Sequence, residues 1–196
     1  APLFLLNVAI NQDRQITGVY AGELVEAHRA GLEAARRASL RAVAEPFDIV
    51  IASNSGYPLD LNLYQAVKGM SAASQIVRPG GDIIVVAECW DGIPSHGEYK
   101  RLLWEADSPR QLLDRVMASG FRCHDQWEAQ LQAQIQLKAR VHVYAGGLSD
   151  DELRSALVIP CRSVEGTVAE IRSGKPDASI AILPDGPQTV PFLPSA

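Results

Sequence analysis

A phenol, a carboxamide and an ammonium fall within five residues at Tyr64, Gln65 and Lys68. On a helix, residues three and four apart share a flank, so Gln65 and Lys68 converge, as do Tyr64 and Lys68. At a helix start, where unpaired amides and the dipole favour negative charge, the three make a carboxylate or phosphate site. The same spacing also describes a solvated helix face with Tyr64 half-buried, and spacing alone does not choose. A second run, Glu88-Cys89-Trp90-Asp91-Gly92-Ile93-Pro94-Ser95-His96-Gly97, holds acid, thiol, indole and imidazole within ten residues. A nearby base can activate a thiol, but Cys89 ends an apolar run and reads more simply as a small core residue. Glu88 reads equally as an acceptor that orders the loop. Trp127, facing Gln130, Gln132, Gln134 and Gln136, is either core or lid.

The spacing offers no metal site. Cys89, Cys123 and Cys161 form no C-x-x-C pair, and His28, His96, His124 and His142 show neither H-x-H nor i,i+4 spacing. Neither structural zinc nor a disulfide framework is expected, and dispersed, odd-numbered cysteines fit a reducing cytoplasm. Over 196 residues, 18 Lys+Arg against 23 Asp+Glu give a net charge of −5. With no basic block, a generic nucleic-acid clamp is not expected. The longest apolar runs, such as Asp82–Ala87, are strand-sized, so no membrane span is expected. Ala1–Ile10 lacks a basic segment and does not read as a signal peptide.

The elements that must position these residues alternate along the chain. Leu3–Ile10 and Ile16–Tyr20, joined by the polar turn Asn11–Gln15, predict an opening hairpin. Gly22 introduces a helix from Glu23 to about Ala44, stopped by Pro46. Phe47–Ala52 and Asp82–Ala87 alternate little, the pattern of strands covered on both faces. Between them lie the turn-rich Ser53–Pro58, a helix over about Leu61–Val77, and a closing turn, Arg78-Pro79-Gly80-Gly81. Similar turns occur in adenosylmethionine-dependent methyltransferases, but this one needs only a glycine at positive φ. No G-x-G-x-x-G loop follows an early strand. After the Glu88–Gly97 loop, Ser108-Pro109 starts a helix ending near Gly120. Asp125 caps another helix to about Arg140, its outer face rich in Gln. Val141–Tyr144, Leu157–Ile159 and Ala178–Leu183 read as strands, and Asp150–Ala156 and Ser163–Ser173 as helices.

Together these predict a single α/β domain over residues 1–196. Its sheet is mostly parallel, Rossmann-like and flanked by helices, with an N-terminal hairpin strand pair and an extended proline-rich tail over 184–196. In such sheets ligands bind beyond the carboxyl ends of the strands, which singles out the loops Ser53–Asn62 and Glu88–Gly97.

An ordered series of segments carries a resemblance. It runs through Phe4-Leu5-Leu6-Asn7-Val8, Gly18-Val19-Tyr20-Ala21-Gly22-Glu23 and Ala27-His28-Arg29-Ala30-Gly31 to Gly56-Tyr57-Pro58-Leu59-Asp60-Leu61-Asn62-Leu63-Tyr64-Gln65-Ala66-Val67-Lys68. With Arg78-Pro79-Gly80-Gly81 and Ala87-Glu88-Cys89, these segments resemble the C-terminal half of the nickel-pincer-nucleotide lactate racemase family. The likeness spans most of Leu3–Tyr144, and the G-Y-P-x-D-x-N-x-Y-Q-x-x-K string is its most specific piece.

The resemblance implies the C-terminal half of a larger two-domain enzyme acting on lactate or another small 2-hydroxy acid by hydride transfer. It puts the nickel ligand, the lysine that tethers the pincer cofactor and the acid–base histidines on the N-terminal domain. The partner of this chain is then its own N-terminal catalytic domain, no catalytic or metal residue lies in the chain itself, and the isolated chain is expected to be inactive. Carried over residue by residue, Gln65 and Lys68 hold the substrate carboxylate, Tyr64 shapes the pocket, and Trp127 reaches the cleft. Two other readings stay open: a non-catalytic small-molecule-binding or assembly domain of the same fold, and a methyltransferase-like enzyme.

Overall fold

Two strands with almost uninterrupted β-branched cores, β4 (Phe47–Ser53) and β5 (Val77–Val86), pair in parallel at the centre of the molecule's main sheet. Ile49, Val50, Ile83, Ile84 and Val85 are wholly buried, which is what a strand covered on both faces requires. The computed structural model describes residues 3–11 and 13–194. The described residues fall into two compact units, divided after Arg41.

In the first unit, β1 (Phe4–Ile10) and β2 (Ile16–Glu23) make the antiparallel hairpin. Part of the expected turn, Gln12, lies outside the described residues. Helix α1 (Leu24–Ser39) follows, its start fixed by the Glu23 carboxylate, which accepts from the amides of Val25 and Glu26 at 2.9 and 3.1 Å. It ends at Ser39, well before Ala44, because Leu40 turns extended into the short β3 (Leu40–Ala42).

The second unit contains β4, α2 (Leu63–Ser74), β5, α3 (Tyr99–Trp104), α4 (Pro109–Val116), α5 (Gln126–Lys138), β6 (Arg140–Tyr144), α6 (Asp150–Ser155), β7 (Ile159–Pro160), α7 (Val164–Gly174), β8 (Ile180–Leu183), a 3-10 turn at Gly186–Gln188, and β9 (Val190–Phe192). Five strands pair in parallel in the order β7-β6-β5-β4-β8. This is the α/β architecture expected, with helices as the crossovers.

Further local features depart from the sequence reading, among them Asp125, which sits at φ +63° before α5 and makes no side-chain cap bond. Arg78–Gly81 does not precede the strand but bulges from within β5, where the pairing jumps from Phe47↔Val77 to Ile49↔Asp82 and Gly80 has φ +77°. Helix α3 falls in a stretch with no predicted element; its six residues are too few for a periodic signal, and Glu98 gives it no side-chain cap. Gln132 is wholly buried rather than on an outer face: it donates to the Ala156 carbonyl at 2.8 Å and accepts from the Tyr99 hydroxyl. The stretch from Pro184 is not simply extended, since it holds the 3-10 turn and β9; Ser195 and Ala196 lie outside the described residues.

Candidate functional site

The carboxyl ends of β4, β5 and β6 are knitted together by their own loops. The amides of Cys89 and Asp91 donate to the carbonyls of Asp60 and Leu61 at 2.9 and 3.0 Å, and the Leu63 amide returns a bond to Gly92 at 3.0 Å. The Gly147 amide reaches the Glu88 carbonyl at 2.8 Å. A Cβ on Gly147 would overlap the Cys89 carbonyl, so only glycine lets the loop after β6 come this close. Asp60 and Asn62, the D and N of the specific string, are fasteners. The Asp60 carboxylate accepts from the Glu88 amide at 3.3 Å; Asn62 caps α2 by accepting from the Gln65 amide at 3.1 Å and donates to Asp91 at 3.2 Å. Asn54, wholly buried, ties the loop to the helix above it: it donates to the Leu59 and Gln65 carbonyls and accepts from the Gly69 amide.

This scaffold fixes the first turns of α2 at the sheet's carboxyl edge and brings the four candidate side chains into one neighbourhood. Lys68 donates to Gln65 Oε1 at 2.6 Å. An ammonium can only donate, so Gln65 turns its oxygen to Lys68, and its NH2 has no partner among the described residues. The half-buried Tyr64 ring meets Trp127 edge-on at 5.8 Å and 87°, and Tyr99 at 5.2 Å and 80°. Trp127 stays 59% exposed and is not part of the core. Lys68 and Trp127 line a groove of about 360 Å³ together with Glu128, Leu131, Pro187 and Pro191.

Glu128 was not singled out from the sequence. Its carboxyl is buried and pushed up to about 7 by that burial, with Lys68 opposing and Asp125 adding to the rise. Glu128, Ala129, Gln132 and Ala133 belong to the buried stripe of α5, so polar residues occupy two core positions, which the packing and not the sequence discloses. Cys89 and His96, by contrast, make no nucleophile pair. Cys89 is wholly buried and its thiol is pushed up to about 12 by burial, whereas His96 is exposed.

Around the other end of the strands an ion network lines a cavity of about 750 Å³. Asp82 accepts from Arg140 Nε and Nη2 at 2.8 and 2.6 Å and pairs with His142 Nε2 at 2.8 Å. Asp48 binds Lys175 at 2.5 Å, Ser179 at 2.9 and 3.0 Å and Arg78 at 3.1 Å. Each carboxylate is satisfied by cations, so the network reads as a fastening of the sheet's amino edge. Among the described residues no three His, Cys, Asp or Glu side chains come together to hold a metal ion. The donors on α2 suit an anion instead.

The family model for the lactate racemase C-terminal domain matches residues 42–190. The chain belongs to the lactate racemase C-terminal domain family. The match reaches past Tyr144, where the sequence likeness had thinned to general α/β character. Lactate racemases of Thermoanaerobacterium thermosaccharolyticum and Lactiplantibacillus plantarum are each 35% identical over 93% of this chain, which spans 43% of their length. The structure of the Thermoanaerobacterium thermosaccharolyticum lactate racemase apoprotein matches with a TM-score of 0.88 at 33% identity, over 96% of this chain and 45% of that one. A Thermotoga maritima protein shares the fold alone, with a TM-score of 0.64 at 12% identity over 97% of this chain and 49% of its own.

Proposed function

We propose that this chain is the substrate-gripping part of a 2-hydroxy-acid racemase of the lactate type. Lys68 supplies a point charge for the substrate carboxylate, and the NH2 of Gln65 donates a second hydrogen bond to it. Tyr64 and Trp127 form the wall beside the clamp. The observation that carries the reading is the Lys68–Gln65 pair: an ammonium and an oriented carboxamide side by side on the first turns of a helix, at the sheet edge where ligands bind.

In this reading the acid–base histidines, the nickel ligand and the tethering lysine belong to an N-terminal domain with which this chain forms a two-domain enzyme, and the cytoplasm is its compartment. The nickel-pincer nucleotide that the resemblance implies supplies hydride transfer when bound. The described residues of this chain offer it no metal cluster, so the role proposed for the chain carries no step through that group. What the chain does is bind and orient: by fixing the carboxylate it sets which way C2 and its hydroxyl face. Among the described residues no helix is long and apolar enough to cross a membrane.

The test is steady-state lactate racemisation by the full-length, cofactor-loaded protein. Lys68→Ala removes a charge-assisted bond in a partly dry site and should lower kcat/KM by about 30- to 1000-fold, roughly 2–4 kcal/mol. Gln65→Ala removes a neutral bond and should lower it by about 5- to 30-fold. Neither should change folding, because Lys68 is exposed and Gln65 only part-buried. Wild-type kcat/KM in Lys68→Ala overturns the assignment.

A further inference from the structure

We infer that Glu128 is the proton-accepting partner of the Lys68 site: a carboxyl that balances the lysine's charge while the clamp is empty and takes up a proton when a substrate carboxylate engages Lys68. The inference rests on the proposed clamp and adds a residue that the clamp does not contain.

Three observations carry it. Glu128 and Lys68, on α5 and α2, line one groove, so an anion held by Lys68 would come close to the Glu128 side chain. Glu128 is only 2% exposed, yet no hydrogen bond or ion pair within 4.0 Å holds its carboxyl among the described residues, since the Lys68 ammonium pairs with Gln65 instead. A buried carboxyl without a partner is poised between its two protonation states. The charged and titratable groups around it are Lys68 and Tyr64 from α2, Tyr99 from α3 and Asp125 at the start of its own helix. Of these, Lys68 favours the anion and Asp125 opposes it. An anion on Lys68 cancels the one favourable influence and adds a second negative charge, and the carboxyl then protonates. The proton comes from solvent. No bond other than the carboxylic O–H is made.

The experiment is calorimetric titration of the full-length protein with lactate in buffers of different ionisation enthalpy. A carboxyl titrating near pH 7 is about half-protonated there, so binding should take up about half a proton at pH 7 and almost none at pH 5.5. Above pH 7 the lactate Kd of the wild type should rise by up to about tenfold per pH unit, and it should be flat below about pH 6. In Glu128→Gln, an isosteric change, the uptake should vanish. Uptake that persists unchanged in Glu128→Gln overturns the inference. A wild type with no uptake and a pH-flat Kd does so without any variant. Lactate binding indifferent to Lys68→Ala instead overturns the clamp, which separates the two failures.

Discussion

The Asn54 side chain bridges two backbone groups one turn apart on α2. Its Nδ2 donates to the Gln65 carbonyl at 3.1 Å and its Oδ1 accepts from the Gly69 amide at 3.0 Å, four residues on. Gly69 makes room for it: a Cβ there would lie 2.8 Å from Asn54 Oδ1, while the next side chain, Val85, would be at an ordinary 3.7 Å. Gly69→Ala should therefore destabilise the wild type. Displacing the amide forfeits about two buried hydrogen bonds at roughly 1 kcal/mol each and adds strain. Alanine's helical advantage over glycine returns about 1 kcal/mol. The net loss is about 1–3 kcal/mol, or a Tm lower by about 2–10 °C for a chain of this size. Asn54→Ala alone should cost about 2 kcal/mol, because the Leu59 carbonyl loses its donor and the Gly69 amide an acceptor. In the Asn54→Ala background the same Gly69→Ala change meets only the ordinary contact with Val85 and should stabilise by about 1 kcal/mol. Urea unfolding of the four species, followed by tryptophan fluorescence, reads this reversal of sign. An equal effect of Gly69→Ala in both backgrounds would refute the reasoning.

Further outcomes follow from the ionised and buried groups. Burial works against ionisation of Asp82, but Arg140 and His142 prevail and hold it below the usual carboxylate range; Lys175 and the Ser179 amide do the same for Asp48. Both folded values lie below the unfolded one, so their stabilisation is full above about pH 4 and fades as the pH drops further. Asp82→Asn should cost about 2–3 kcal/mol at pH 7 and flatten the acid limb of the stability curve, checked by urea unfolding from pH 2 to 7. An acid limb unchanged in the variant would remove the network from that role. The Cys89 thiol, wholly buried and pushed up to about 12, should resist iodoacetamide at pH 8 while the less buried Cys123 is alkylated; mass spectrometry of the native chain reads both. Equal labelling of the two would show that the loop after β5 opens.

The sheet was legible because its strands are nearly pure apolar runs between glycine- and proline-rich turns, a signal that needs no tertiary information. The α2 site was legible for another reason: Tyr64, Gln65 and Lys68 lie within one and a third turns, so helical geometry alone brings them together. What escaped depends on contacts far apart in sequence. Glu128 and Gln132 occupy core positions of α5 that only the packing against α2, α3 and α4 reveals, and to composition a run of glutamines reads as a wet face. Asp60 and Asn62 belong to the specific string yet bind the neighbouring loop at Glu88 and Asp91, across gaps of 28 and 29 residues. The Arg78–Gly81 bulge escaped because proline and glycine signal a turn equally well outside a strand or inside one.

Whether Lys68 grips a carboxylate is tested most directly by pairing a change in the protein with a change in the ligand. Calorimetry on the full-length protein would compare lactate with lactamide, which keeps the shape and loses the charge, in wild type and Lys68→Ala. The wild type should prefer lactate by about 30-fold or more, and Lys68→Ala should bring the two ligands to within about threefold of each other. A preference for lactate that survives undiminished in Lys68→Ala would contradict the clamp.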